Sequence, residues 1–247
     1  MDGTAQGIQP LPGRRVAAQL RPPLLLRLGI LALPISGMLT LVGLLGRYDT
    51  PNPRIDSEAA ARTAASAGYF VSQFVGNVVG LTMLIFGILA LTTYLANTRA
   101  KNLALGSMVL SILGIAPVLS ALGVNTYALP VLGQAYLHGE QGTLAIVDTI
   151  FGNPLRTVFV IAFMLYAAGF ILFGVAIWRS GALRKGAAIS LGIHAPLVAS
   201  FARPQPSLTV VLGALLFIVG ATLVAIDVFR RPYQGRQTAP GKRRAGE

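Results

Sequence analysis

The chain has no cysteine, and only 11% of its 247 residues are charged. The missing thiols exclude disulfides, thiolate metal sites, iron–sulfur clusters and dithiol redox chemistry together. Charge is lopsided as well as scarce: 20 Lys and Arg stand against 8 Asp and Glu, with 2 His. A soluble domain carries roughly 25% charged residues, so this chain lacks the polar surface to meet water on every side. Catalytic signatures are missing too. There is no HExxH, no carboxylate-rich metal cluster, no nucleophile elbow, and no motif of membrane phosphatases or intramembrane proteases. The alternating strands of about ten residues that mark a membrane β-barrel are also lacking.

What the sequence does have is apolar length. Hydrophobic residues make up 54% of it and the mean hydropathy is +0.68. Several runs approach or exceed the ~20 residues that cross a bilayer as a helix. The expected fold is all-α, a polytopic membrane bundle of six helices at about 24–46, 69–96, 103–123, 155–178, 186–202 and 207–229. The fifth is the weakest, being short and containing His194 and Pro196. Residues 1–23 and 230–247 read as basic flexible tails. "RRVAAQL" does not read as a cleaved signal: the apolar stretch after it outlasts an h-region and no A-x-A site follows.

Orientation follows from Lys and Arg. With the N-terminus inside, fifteen of the 20 fall on inner segments; the other five are Arg47, Arg54, Arg62, Arg156 and Arg203. Five acids, Asp49, Asp56, Glu58, Glu140 and Asp148, fall outside. Both termini are thus expected in the cytoplasm of a bacterium whose plasma membrane holds the protein. The formal +12 then faces anionic inner-leaflet lipid, which attracts each such residue by about 1 kcal/mol. No nucleic acid is needed to explain it.

An internal likeness joins the middle spans. "MLIFGILAL" (83–91) resembles "FILFGVAIW" (170–178), and "SILGIAPVL" (111–119) resembles "SLGIHAPLV" (190–198), in the same order. Each pair is joined by a short basic hairpin. Spans two–three and four–five therefore read as parallel copies of one helical hairpin. Pro117 and Pro196 follow the shared LGI, so both copies should bend there. Paired interruptions of this kind are a pointer to a midplane binding site. The second copy inserts His194, a titratable group at membrane depth and a functional candidate for that reason.

Weaker candidates surround these. Gln73 and Asn77 lie beside Gly76 and Gly80, a small-residue pair suited to close helix packing. Asp227 precedes Arg230 and Arg231 by three and four residues, a spacing for local ion pairs. Outside, Asp56 or Ser57 should cap a helix holding a Glu58–Arg62 pair and leading straight into span two. The longer loop, 124–154, carries His138, Glu140 and Asp148, with Leu144, Val147, Ile150 and Phe151 at amphipathic-helix spacing. A polar cap over the bundle fits these residues better than a catalytic site.

Three functions are compatible with this reading. The first is a non-enzymatic accessory or scaffold subunit meeting a membrane partner, or a second copy, through glycine-rich helix faces. The second is a small transporter or channel for an uncharged or lipid-like solute, with its site near the third and fifth spans. The third is an outer-face enzyme using the 124–154 loop. No cofactor is implied: haem would need His138 beside His194, and His138 lies outside the apolar run.

Overall fold

The computed structural model describes residues 23–48, 51, 55–150, 152–199 and 208–230. Both tails, Phe151, Arg203 and Arg231 fall outside them. Every regular element among the described residues is helical. In chain order these are α1 (Leu24–Tyr48), α2 (Ser57–Ala64), α3 (Ala67–Gln73), a π-helical segment (Phe74–Val79) and α4 (Gly80–Leu95). Then come α5 (Lys101–Leu137), α6 (Thr143–Ile150), α7 (Asn153–Ser180), α8 (Lys185–Ala199) and α9 (Leu208–Arg230).

Among the described residues five stretches are long and apolar enough to cross a membrane: Leu24–Gly46, Ala67–Leu95, Lys101–Leu137, Thr143–Ser180 and Leu208–Arg230. The chain is thus a multi-pass helical protein by length and composition. The expected span at 186–202 corresponds to α8, whose 15 described residues fall short of that length.

The long helices close into a ring in chain order. α1 packs on α4, α4 touches α5, α5 lies along α7, α7 on α8, α8 on α9, and α9 returns to α1. Apolar side chains point outward as well as inward. On α1, Leu28, Ile35, Met38, Val42 and Leu45 form an exposed stripe at helical spacing. A helix apolar all round has its polar backbone satisfied internally, which is what hydrocarbon demands.

With apolar surroundings on both sides, burial from water no longer drives helices together, and close van der Waals packing has to. Glycine makes that approach possible. Gly76 meets the Gly43 backbone so closely that a Cβ on Gly43 would lie 2.9 Å from the Gly76 Cα. A Cβ on Gly114 would come within 2.5 Å of the Tyr166 nitrogen across the α5–α7 seam. The small-residue reading of Gly76 therefore holds, with Gly43 of α1 as its partner.

The helix ends follow local chemistry. Asp56 caps α2 by accepting from the Ala59 N–H at 2.9 Å, and Arg62 pairs with Glu58 one turn on, both as expected. The helix does not run unbroken into span two, however. Ser66 starts α3 as a second cap, its hydroxyl accepting from the Tyr69 N–H at 3.2 Å. A second correction concerns 124–137, expected as loop: these residues continue α5. At 37 residues, α5 is about 55 Å long against a hydrocarbon core of ~30 Å, so it is longer than one crossing requires, and it carries Tyr136 in its last turn. There Tyr136 shares a 2.7 Å hydrogen bond with the Ser57 hydroxyl, tying α2 to that end. α5 runs on through Pro117 and α8 through Pro196.

A third correction concerns Asp227. Its buried carboxylate reaches across to the α7–α8 turn, not to Arg230, accepting from the Arg184 N–H at 2.7 Å and pairing with the Arg184 guanidinium at 2.9 Å. Arg99 likewise donates to the Arg179 carbonyl at the end of α7, and Arg27 stacks over Phe229, 5.4 Å from the ring centre. These contacts gather the start of α1, both short basic turns and the end of α9 at one pole of the ring.

Gly76→Ala should therefore destabilise the fold by about 1–3 kcal/mol, as overpacking does. Gly106→Ala, where a Cβ meets nothing within 4 Å, should leave it unchanged. Thermal unfolding of both variants in one detergent checks the contrast.

Candidate functional site

A partly enclosed cavity of about 90 Å³ lies inside the ring, bordered by residues of α1, the π segment, α4, α5, α7, α8 and α9. Most of the lining is aliphatic or aromatic. Its polar side chains are Ser36, Thr40, Asn77, Tyr166 and His194; among the described residues no Asp, Glu, Lys or Arg borders it. Volumes of this order hold several waters or one small organic molecule.

The most ordered part of the wall is a pair from α7 and α8. His194 is fully buried, and its Nε2 lies 3.0 Å from the Tyr166 hydroxyl. Its Nδ1 lies 2.6 Å from the Leu191 carbonyl, one turn back on the same helix. A carbonyl can only accept, so Nδ1 carries the hydrogen. In the neutral ring Nε2 is then the acceptor, and the Tyr166 O–H donates to it. Phe170 meets the imidazole edge-to-face at 4.7 Å, and Phe217 of α9 lies 4.9 Å away, tilted. Three helices are locked together around one polar side chain by this cluster.

Asn77, on the π segment, also borders the cavity. Its amide donates to the Gln73 side-chain carbonyl at 2.6 Å, and Gln73 donates to the Gly43 carbonyl of α1 at 3.2 Å. Gln73 is wholly buried and Asn77 nearly so. The packing role expected of this pair is present as a hydrogen-bonded strut between helices; Asn77 additionally faces the cavity. Ser36 spends its hydroxyl hydrogen on the Leu33 carbonyl at 2.7 Å.

The sequence candidates thus divide. His194 and Asn77 border the cavity, and Gln73 braces Asn77. Pro117 and Pro196 do not border it: Pro117 is half-buried between the lining residues Ile115 and Val118, and Pro196 is exposed on the outside of α8. Tyr166, Ser36, Thr40 and Phe217 were not singled out by sequence. Tyr166 could have been, as the one hydrogen-bonding side chain in "VIAFMLYAAGF".

His138, Glu140 and Asp148 are all exposed. The first two belong to the ending of α5. The Gly139 N–H bonds the Tyr136 carbonyl at 3.0 Å and the Glu140 N–H bonds that of Ala135 at 3.1 Å, with Gly139 left-handed at φ 81°. That double bond pattern is a Schellman motif, so this stretch stops a helix. Thr143–Ile150 is helical, as its spacing suggested. Among the described residues no three His, Asp or Glu converge as metal ligands would. No family model matches the chain, and no curated protein or solved structure is significantly similar to it.

The Tyr166–His194 bond can be tested in isolation. Tyr166→Phe and His194→Leu each strand a buried partner and should each cost about 1–3 kcal/mol. The double variant should cost clearly less than the sum, with a coupling of roughly 1 kcal/mol. Additive losses in thermal or denaturant unfolding would contradict the bond.

Proposed function

We propose that this chain is a non-enzymatic membrane protein that takes a small uncharged, largely apolar solute into its helix ring, as a carrier or channel does. The observation behind this reading is the shared cavity, to which every helix of the ring contributes and whose lining holds uncharged polar groups. Ligand sites in helical bundles have this composition, an apolar body with a few placed polar groups. The absence of charged residues from the lining favours a neutral solute over an ion.

Carriage across a bilayer requires the ring to span it, and this reading takes α8 as a sixth, short crossing. Parity supports that. Arg27 near the start of α1 stacks on Phe229 near the end of α9, so both ends lie on one side, and the number of crossings is even. Five long helices alone would leave them on opposite sides. The basic pole carries Arg99, Lys101, Arg179, Arg184 and Lys185, while Asp56, Glu58, Glu140 and Asp148 lie toward the other end. By the positive-inside rule this reading puts both termini in the cytoplasm of a bacterial cell, against anionic inner-leaflet lipid. It also keeps α4–α5 and α7–α8 as copies of one hairpin on adjacent arcs of the ring. The copies have diverged in packing: Gly87 abuts Leu33 of α1, whereas Gly174 abuts the Ala188 carbonyl of α8.

The accessory-subunit reading retains one observation. Gly106 and Gly123 on α5 have open space where a side chain would project, and a partner helix or a second copy could approach there. Gly43, Gly76 and Gly114, by contrast, meet neighbours inside the ring.

A thermal-shift screen of small neutral organic compounds on purified protein separates the readings. A true ligand at a hundred times its Kd should add about 2.7 kcal/mol of stability. Ala214→Leu, which fills the cavity, should abolish the response. A screen in which no compound distinguishes wild type from Ala214→Leu would contradict the solute reading.

A further inference from the structure

We infer that the cavity selects small neutral molecules bearing a hydroxyl group, or another hydrogen-bond donor, over isosteric carbonyl compounds. This rests on the solute-binding reading above and names the chemistry of the solute. The selectivity comes from where the hydrogens already are.

His194 begins the chain of commitments. The Leu191 carbonyl, 2.6 Å from Nδ1, fixes the hydrogen on that nitrogen. Nε2 is left bare, and among the described residues the Tyr166 hydroxyl, at 3.0 Å, is the polar atom that meets it. Among the described residues no carboxylate borders the cavity to hold an imidazolium there, and the ring is walled by Phe170 and Phe217. Tyr166 must therefore turn its hydrogen toward His194. The phenol oxygen keeps its remaining lone-pair capacity, and among the described residues nothing donates to it. Both imidazole nitrogens being satisfied, an entering molecule meets this pair as an acceptor at Tyr166, which retains 9% exposure while His194 has none.

Ser36 is committed in the same sense. Its hydrogen goes to the Leu33 carbonyl at 2.7 Å, leaving an acceptor on the cavity side of the exchange. Thr40 and the second N–H of Asn77 are the donors that stay uncommitted. A hydroxyl both donates and accepts, so it can satisfy Tyr166 or Ser36 with its hydrogen and receive from Thr40 or Asn77. A ketone can only accept. It finds a partner at Thr40 or Asn77 and leaves the Tyr166 oxygen without one in an apolar enclosure. Turning the Tyr166 hydroxyl round to serve the ketone would strand His194 Nε2 instead.

The two histidines of this chain make the test direct. Protein labelled with 15N-histidine, in nanodiscs, gives ring signals from His194 and the exposed His138 alone. The inference expects His194 with hydrogen on Nδ1 and a bare Nε2. Titration with 2-propanol should shift the His194 Nε2 signal saturably; acetone, of nearly the same size, should act at least roughly fivefold more weakly. Equal, saturable responses to both probes would overturn the inference while leaving the cavity as a solute site. No response to either probe would overturn the inference and the solute-binding reading with it. A hydrogen found on His194 Nε2 in wild-type protein overturns the inference without recourse to any variant.

Discussion

Helices that are apolar on every face have little reason to stay together in hydrocarbon, because lipid tails solvate leucine as well as another helix does. What holds this ring is backbone approach at positions without side chains. Gly43 against Gly76 joins the first and second long helices, and Gly114 against Tyr166 and Ala162 joins α5 to α7. At such contacts dispersion and close packing replace the burial term that organises a soluble core. The interior can therefore be lined with mixed small, aromatic and polar side chains while the outside remains uniformly apolar.

Polar groups then sort by depth. Charged side chains gather at the two ends, where the Asp227–Arg184 pair and the Arg99–Arg179 bond fasten the turns. Asp227 is the exception that explains itself: it is buried, but it faces a guanidinium and a backbone N–H. Among the described residues the cavity lining holds only uncharged hydrogen-bonding groups, and most are tied to protein partners. The Asn77–Gln73–Gly43 strut and the Tyr166–His194–Leu191 chain each bring side chains to one cavity. Each satisfies buried polar atoms while leaving a few hydrogen-bonding positions toward that cavity.

The class of protein was legible because hydropathy reports length directly, and helices at Leu24–Tyr48 and Leu208–Arg230 match the expected spans within two residues. His194 and Asn77 were legible as polar residues in apolar surroundings. Tyr166 was passed over because an aromatic in a membrane helix reads as packing until its hydroxyl is shown a partner. The continuation of α5 past residue 123 was obscured by Asn125, Thr126 and Pro130, which resemble a loop when read by composition. The π segment had no local signal at all. It lies where α1 and its neighbour meet at Gly43 and Gly76, a contact that local sequence does not show. Asp227 illustrates the same limit: spacing offered Arg230, and a partner 43 residues away took its place.

The central claim is that the ring closes and crosses the membrane six times, so that its cavity lies within the bilayer. Because the chain has no cysteine, single thiols can be placed without background. The decisive measurement is labelling of Pro23→Cys, Arg230→Cys and His138→Cys with a membrane-impermeant thiol reagent, in intact cells and in inverted vesicles. Six crossings predict that positions 23 and 230 are reached only in inverted vesicles and 138 only from outside the cell. Labelling of 23 and 230 from opposite faces would mean an odd number of crossings, and would contradict the closed ring.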